Sequence, residues 1–229
     1  MKLLRPVVLS VIGLLATFNV GADMYVDRSI VIFEPDSEAR QDVKVSNTGD
    51  DVLYVQVEVF KVENPGEENE ERIKVDNPED LKLIATPNKL IVPEGGQKLI
   101  RIVNLVSQND EERVYRINVT PVVAPLEEET SQLRVVVAYQ ILTIVQPDNP
   151  TTELEVERDG QQITFQNNGN SNILLSDGRQ CQSESQENCR ELSSRRLYAG
   201  NSWTLDLPYD TPVAYSVRTY DGIKKQIFP

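Results

Sequence analysis

Apolar and polar residues alternate at period two through most of this chain, in short runs. They stand at Val43–Val45, Val55–Val59, Leu99–Val103, Tyr115–Val119, Leu133–Ile141, Leu154–Val156, Ile163–Phe165, Trp203–Leu207 and Val213–Val217. That period marks strands with one face buried and the other turned to water. Between the runs stand Asn47-Thr48-Gly49, Glu94-Gly95-Gly96, Asp159-Gly160, Asn168-Gly169, Asp177-Gly178 and Asp221-Gly222. Such combinations supply the backbone conformations that reverse a strand. No long stretch carries helical periodicity. The pattern predicts an all-β chain built as a sandwich.

The segment Gln146-Pro147-Asp148-Asn149-Pro150 interrupts the alternation. Proline has no N–H to give to a ladder, so two in five residues do not fit a central strand. Its position predicts two domains, 23–147 and 148–229, which suits a chain of 229 residues. The segment Glu63–Glu71 holds Pro65-Gly66 and several glutamates and reads as a solvated loop.

The first residues change the picture. Lys2 and Arg5 precede an apolar run from Val7 to Ala16, and Gly21-Ala22 follow it. A charged start, a short apolar middle and a small-residue end predict a signal peptide over residues 1–22. The run is shorter than the roughly 20 apolar residues a membrane span needs. No later stretch is long enough either, so the mature chain is expected to stay out of the bilayer. It would carry 21 Lys and Arg against 36 Asp and Glu, a formal charge of −15. Such a surface repels phosphate backbones and argues against nucleic acid as a partner. Cys181 and Cys189 are the only cysteines. In an oxidising compartment so close a pair predicts a disulfide clipping a hairpin in the second half. The chain-entropy relation gives such a short loop about 2.5 kcal/mol.

The chain contains no histidine. This excludes Ser-His-Asp and Cys-His catalysis and removes the commonest metal ligand. Neither G-x-G-x-x-G nor a P-loop pattern occurs. The carboxylates lie in loops or alternate with apolar residues on strands, with no preferred pair for glycan hydrolysis. The reading is therefore a binding protein without cofactor or metal, not an enzyme.

The most informative segment runs from Thr130 to Pro147, long beside the five or six residues of a usual strand. Leu133, Val135, Val137, Tyr139 and Ile141 share one face. Tyr139 and Ile141 suit the domain's own core. The earlier part follows the polar loop Leu126–Ser131 and is expected to project beyond the sandwich. Large apolar side chains there form an edge that solitary proteins avoid. Each contributes roughly 1.5–3 kcal/mol when buried, so the strand suits addition to another protein's sheet. The same edge allows the free chain to pair with a second copy of itself.

With these segments in order, the sequence resembles the periplasmic pilus-assembly chaperones, the PapD-like family. The resemblance rests on Val26–Phe33 at the mature start, Val43–Gly49, Leu83–Arg101, Val114–Ile117 and the long strand ending at Pro147. Asn167-Asn168-Gly169-Asn170 and the cysteine pair resemble the alternate branch that serves colonisation-factor-type fimbriae. The resemblance implies two immunoglobulin-like domains in a boomerang, with a cleft between them. It implies a chaperone that lends its G1 strand to an incomplete pilin subunit and delivers that subunit to an outer-membrane usher. Leu133, Val135 and Val137, with Tyr139 continuing the same face, would then fill the subunit's groove. Family members hold the subunit's C-terminal carboxylate with an arginine on the first strand and a lysine on G1. Ile30 and Leu142 stand at those positions here. A buried carboxylate still needs a cation or several donors. Lys44 is the first substitute, Arg116 the second and Arg28 the third. The competing reading is a structural or adhesive sandwich module of a surface fibre. A fibre subunit would carry a donor extension near its mature N-terminus, whereas the strongest alternating strand here is internal.

Overall fold

Most of the alternating runs form strands among the described residues, and these strands pair into four sheets. The structure is a computed structural model that describes residues 23–75, 80, 82–106, 108–122, 136–183 and 188–229. The leader assigned to residues 1–22, and Leu133 and Val135, lie outside the described residues. The first sandwich contains β1 (Met24–Val26), β2 (Ile30–Phe33), β3 (Arg40–Asn47), β4 (Leu53–Glu63) and β5 (Glu71–Lys74). It continues with β6 (Leu83–Thr86), β7 (Lys89–Val92), β8 (Gln97–Asn104), β9 (Arg113–Pro121) and β10 (Tyr139–Val145). The second contains β11 (Leu154–Asp159), β12 (Gln162–Asn167), β13 (Ile173–Cys181) and β14 (Cys189–Leu192). β15 (Arg195–Leu197), β16 (Ser202–Asp206), β17 (Val213–Thr219) and β18 (Gly222–Phe228) complete it.

In the first sandwich a four-stranded sheet, β1-β3-β8-β6, packs on a sheet ordered β2-β10-β9-β4-β5, with β7 also paired to β4. Val43, Val45, Ile100 and Ile102 from one sheet meet Val55, Ile117, Val119 and Ile141 from the other in a buried core. In the second sandwich β11-β12-β16 faces β14-β13-β17-β18, with β15 paired to β13. Phe165 forms its centre, stacked on Trp203 and set edge-on to Tyr215 and Phe228. Cys181 and Cys189 sit opposite each other on β13 and β14 and are joined by a disulfide.

Two sequence expectations are corrected. Asp177-Gly178 is not a turn but a bulge inside β13, where the register against β17 shifts between Ser176 and Arg179. Asp177 takes a φ of 52°, and a Cβ on Gly178 would lie 2.4 Å from the Tyr215 ring. The dipeptide is therefore used to re-aim a strand around a buried aromatic, not to end it. The acidic stretch between β4 and β5 is not simply solvated either. Arg195 donates to the Gly66 carbonyl at 2.9 Å and Asn201 to Glu67 at 3.2 Å, so this loop docks on the second sandwich.

Candidate functional site

The chain crosses from one sheet to the other at Asp27–Ser29, and this crossing sets what β10 can offer. β2 pairs with β10 in parallel only from Ile30 opposite Leu142 to Phe33 opposite Val145, and the Leu142 amide donates to the Ser29 carbonyl. On its other side β10 is paired with β9 over its whole length, from Tyr139 to Val145. Among the described residues, the stretch before Leu142 therefore has no partner on the β2 side. Ladder groups alternate along a strand, so the N–H and C=O of Ala138 and Gln140 point to that open side, as those of Leu142 point to β2.

The sequence-predicted residues separate along this strand. Val137 and Val136 are exposed, and residues 136–138 have no ladder partner among the described residues. Tyr139 is half-buried against the first core, and its hydroxyl donates to the Met24 carbonyl at 3.0 Å. Tyr139 is thus engaged within its own sandwich, whereas Val137 stands exposed. Ile141 is fully buried.

Register fixes a row across the outer face of the larger first-sandwich sheet: Ile30, Leu142, Arg116, Phe60 and Lys74. Arg116 lies between the core residues Tyr115 and Ile117, so alternation turns it to the outer face. On that face Val62, Val114, Leu142 and Ile144 are buried against Tyr198 of the second sandwich. A matching row crosses the second sandwich: Ile223, Arg218, Leu174 and Arg196. Arg116 and Arg196 come from opposite walls of the contact between sandwiches and lie close enough for each other's charge to be felt.

The electrostatics follow from this burial. Burial pushes the Arg196 guanidinium below its ordinary value, with Arg218 and Arg116 adding to the shift and Tyr198 and Glu112 opposing it. Burial raises the Glu112 carboxyl, while the Asn172 side chain and amide, the Ser171 hydroxyl and Arg196 draw it down. Glu112 accepts from the Asn172 amide at 2.9 Å, from the Asn172 side chain at 2.6 Å and from Ser171 at 3.2 Å, linking the two sandwiches. Arg116 Nε is buried and has no hydrogen-bond partner among the described residues. Lys44 and Arg28 lie elsewhere, together at the crossing. The Lys44 amide donates to Asp27 at 2.8 Å, and Arg28 pairs with Asp27 at 3.4 Å. Lys44 alternates with buried Val43 and Val45, so its side chain leaves the opposite sheet from Arg116. Sequence reasoning missed Arg196, Arg218 and Glu112. Their only signal was a basic Arg195-Arg196 pair in an acidic chain.

Residues 23–151, more than half the chain, match the family described as "Pili and flagellar-assembly chaperone, PapD N-terminal domain". The chain belongs to the PapD-like pilus-assembly chaperones. This chaperone is 27% identical over 195 residues to a CFA/I fimbrial subunit of Escherichia coli, covering 80% of this chain and 81% of that protein. Against a CS1 fimbrial subunit of Escherichia coli it is 26% identical, covering 70% and 71% respectively. The solved class 5 fimbriae chaperone CfaA superposes with a TM-score of 0.65 at 22% identity, over 90% of this chain and 99% of that one. The family is one of non-enzymatic chaperones, and the paired sandwiches of this chaperone are its fold.

Proposed function

We propose that this chaperone acts in the periplasm after loss of residues 1–22 and has its domain boundary at Pro147 and Asp148. It captures a pilin-type subunit by lending the strand that carries Leu133, Val135 and Val137, and passes the subunit to an outer-membrane usher. It performs no catalysis. The observation that carries this reading is that the side of β10 before Leu142 has no ladder partner among the described residues, beside an exposed Val137. An unpaired ladder edge next to unburied valines is unfavourable for a solitary protein and suits strand addition. The relatives support it: one similar structure is a chaperone–tip adhesin complex of CFA/I fimbriae biogenesis, with a TM-score of 0.60. Another is the SafA pilin of Salmonella enterica with its SafB chaperone, with a TM-score of 0.62. Arg116 is the candidate for the subunit's terminal carboxylate, because it faces the interdomain cleft with an unused donor. Lys44 and Arg28 stand beside the crossing that ends the open edge, where they are placed to meet the subunit's flank.

A tagged mature chain should recover an equimolar complex with a small β-rich subunit from the periplasm of its source. Val137→Asp should leave folding intact and weaken capture by at least roughly tenfold, the worth of one buried valine. Recovery of the chain alone, or as a polymer of itself, would favour the fibre-module reading. Undiminished capture by Val137→Asp would remove the donor face.

A further inference from the structure

The first strand leaves its sheet where one hydrogen-bond acceptor replaces another. Along the β1–β3 ladder, residues pair from Met24 opposite Asn47 to Val26 opposite Val45, so Asp27 falls opposite Lys44. Every second pair of an antiparallel ladder exchanges both backbone bonds. The Thr48 amide donates to the Asp23 carbonyl at 3.0 Å, which puts Asp23, Tyr25 and Asp27 at the bonded positions. At Asp27 half of the exchange is made, since its amide donates to the Lys44 carbonyl at 3.1 Å. The other half is diverted. The Lys44 amide donates to Asp27 Oδ1 at 2.8 Å, so the carboxylate takes the place of the Asp27 carbonyl. Pairing with β3 stops there.

Two residues later the chain is on the other sheet, where the Ser29 carbonyl accepts from the Leu142 amide at 2.9 Å. Ladder groups alternate, so the next bond back along this parallel pairing would run from the Gln140 amide to the Asp27 carbonyl. That bond is not made: β2 and β10 pair only from Ile30 opposite Leu142 onward. The two steps from Asp27 to Ser29 reach at most about 7 Å. A residue fastened to β3 by both its amide and its side chain has no slack to turn its carbonyl toward β10.

We infer that Asp27 is a positioning residue for strand donation: its carboxylate fastens the crossing to β3 and keeps the first strand from extending over the Gln140 amide. This rests on the proposed capture of a subunit along β10. It adds what sets the length of the edge on offer. Released from β3, the chain would lengthen its pairing with β10 by one bond and cover, from within, a donor that a subunit strand takes. The clamp needs an acceptor oxygen at the right reach, not a negative charge. Arg28 pairs with the other carboxylate oxygen at 3.4 Å in an exposed position and stands beside the clamp.

The test is amide hydrogen exchange of the free mature chain, read by NMR, in three variants. Asp27→Ala removes the acceptor, Asp27→Glu keeps the charge but displaces the oxygen, and Asp27→Asn keeps the oxygen without the charge. In the Ala and Glu variants the Gln140 amide should exchange about fivefold more slowly and the Lys44 amide about fivefold faster, the protection of one net hydrogen bond. Asp27→Asn should match the wild type at both positions. A residue that only stabilised the sandwich would speed exchange at Gln140 when replaced, so slowing there is specific to the clamp. Should the Ala variant fail to fold, the contrast between Glu and Asn decides. Gln140 exchange that is unchanged or faster in the Glu variant, or an Asn variant that behaves like Glu, would overturn the inference. Capture of the recovered subunit should weaken about fivefold in Asp27→Glu and return in Asp27→Asn. Capture that depends on Val137 but is untouched in Asp27→Glu would sink this inference and leave the proposed function standing. Slowed exchange at Gln140 with capture indifferent to Val137→Asp would instead remove the donor face, and with it any role of the clamp in donation.

Discussion

Glu112 shows how one residue holds two domains together at a cost. Its carboxylate is buried and one oxygen, Oε1, has no hydrogen-bond partner among the described residues, while Ser171 and Asn172 donate to the other. Burial is the largest influence and raises its titration above the ordinary 4.5, against the hydrogen bonds and Arg196. The sign of the pH effect follows. A carboxyl whose folded value is raised binds its proton more readily folded than unfolded. Its contribution is therefore fully present below the unfolded value and is lost as pH rises through the folded one. Glu112→Gln carries no such dependence. The stability of the Gln variant relative to wild type should therefore grow as pH rises from below the ordinary 4.5 toward neutrality. Urea titrations of both proteins across that range measure the gap. A gap that stays flat would mean that Glu112 titrates at its ordinary value and that its burial costs nothing.

At the scale of the element, β10 is two things in one strand. From Leu142 to Val145 it is a central strand flanked by β2 and β9, and before Leu142 it is an edge among the described residues. Proline is tolerated on an edge, where its missing N–H faces outward, but it removes a donor that strand addition would use. The Ala138 amide points to the open side, so Ala138→Pro should leave the melting temperature within a few degrees and abolish stable capture of the subunit. Capture that survives would show that side chains, not the backbone ladder, carry the binding. Interior strands such as β12 and β17 were legible because each buries every second residue and turns the others outward. β18 was not legible. It is an edge strand with Ile223 and Ile227 exposed on its outer face, so its composition gives no buried side to read. The cysteine pair was readable from its close spacing together with the predicted leader, and it closes the hairpin of β13 and β14. The cleft was half readable. Arg116 is singled out by its neighbours Tyr115 and Ile117, but Arg196 and Glu112 meet only through the tertiary fold, and no local pattern records that.

At the scale of the whole molecule, everything proposed for the cleft depends on the two sandwiches holding one relation to each other. Three kinds of contact hold it. Tyr198 fills the apolar face made by Val62, Val114, Leu142 and Ile144. Glu112 takes donors from Ser171 and Asn172, and the loop between β4 and β5 receives Arg195 and Asn201. The polar contacts exchange water for protein partners and are individually worth only about 1 kcal/mol net. The buried aromatic contributes more, since truncating such a side chain costs about 3–5 kcal/mol. Its loss also leaves the face that carries Leu142 open to water. Tyr198→Ala should therefore uncouple the sandwiches while leaving each core, centred on Ile117 and on Phe165, intact. Calorimetry should show the wild-type chain unfolding in a single transition and the variant in two, the first at a lower temperature. Subunit capture should weaken in parallel, because the outer face that carries Leu142 and Arg116 would no longer be held against the second sandwich. A variant that still unfolds in one transition at the wild-type temperature would place the coupling in the polar contacts instead, and Glu112 would then be the residue that sets the cleft.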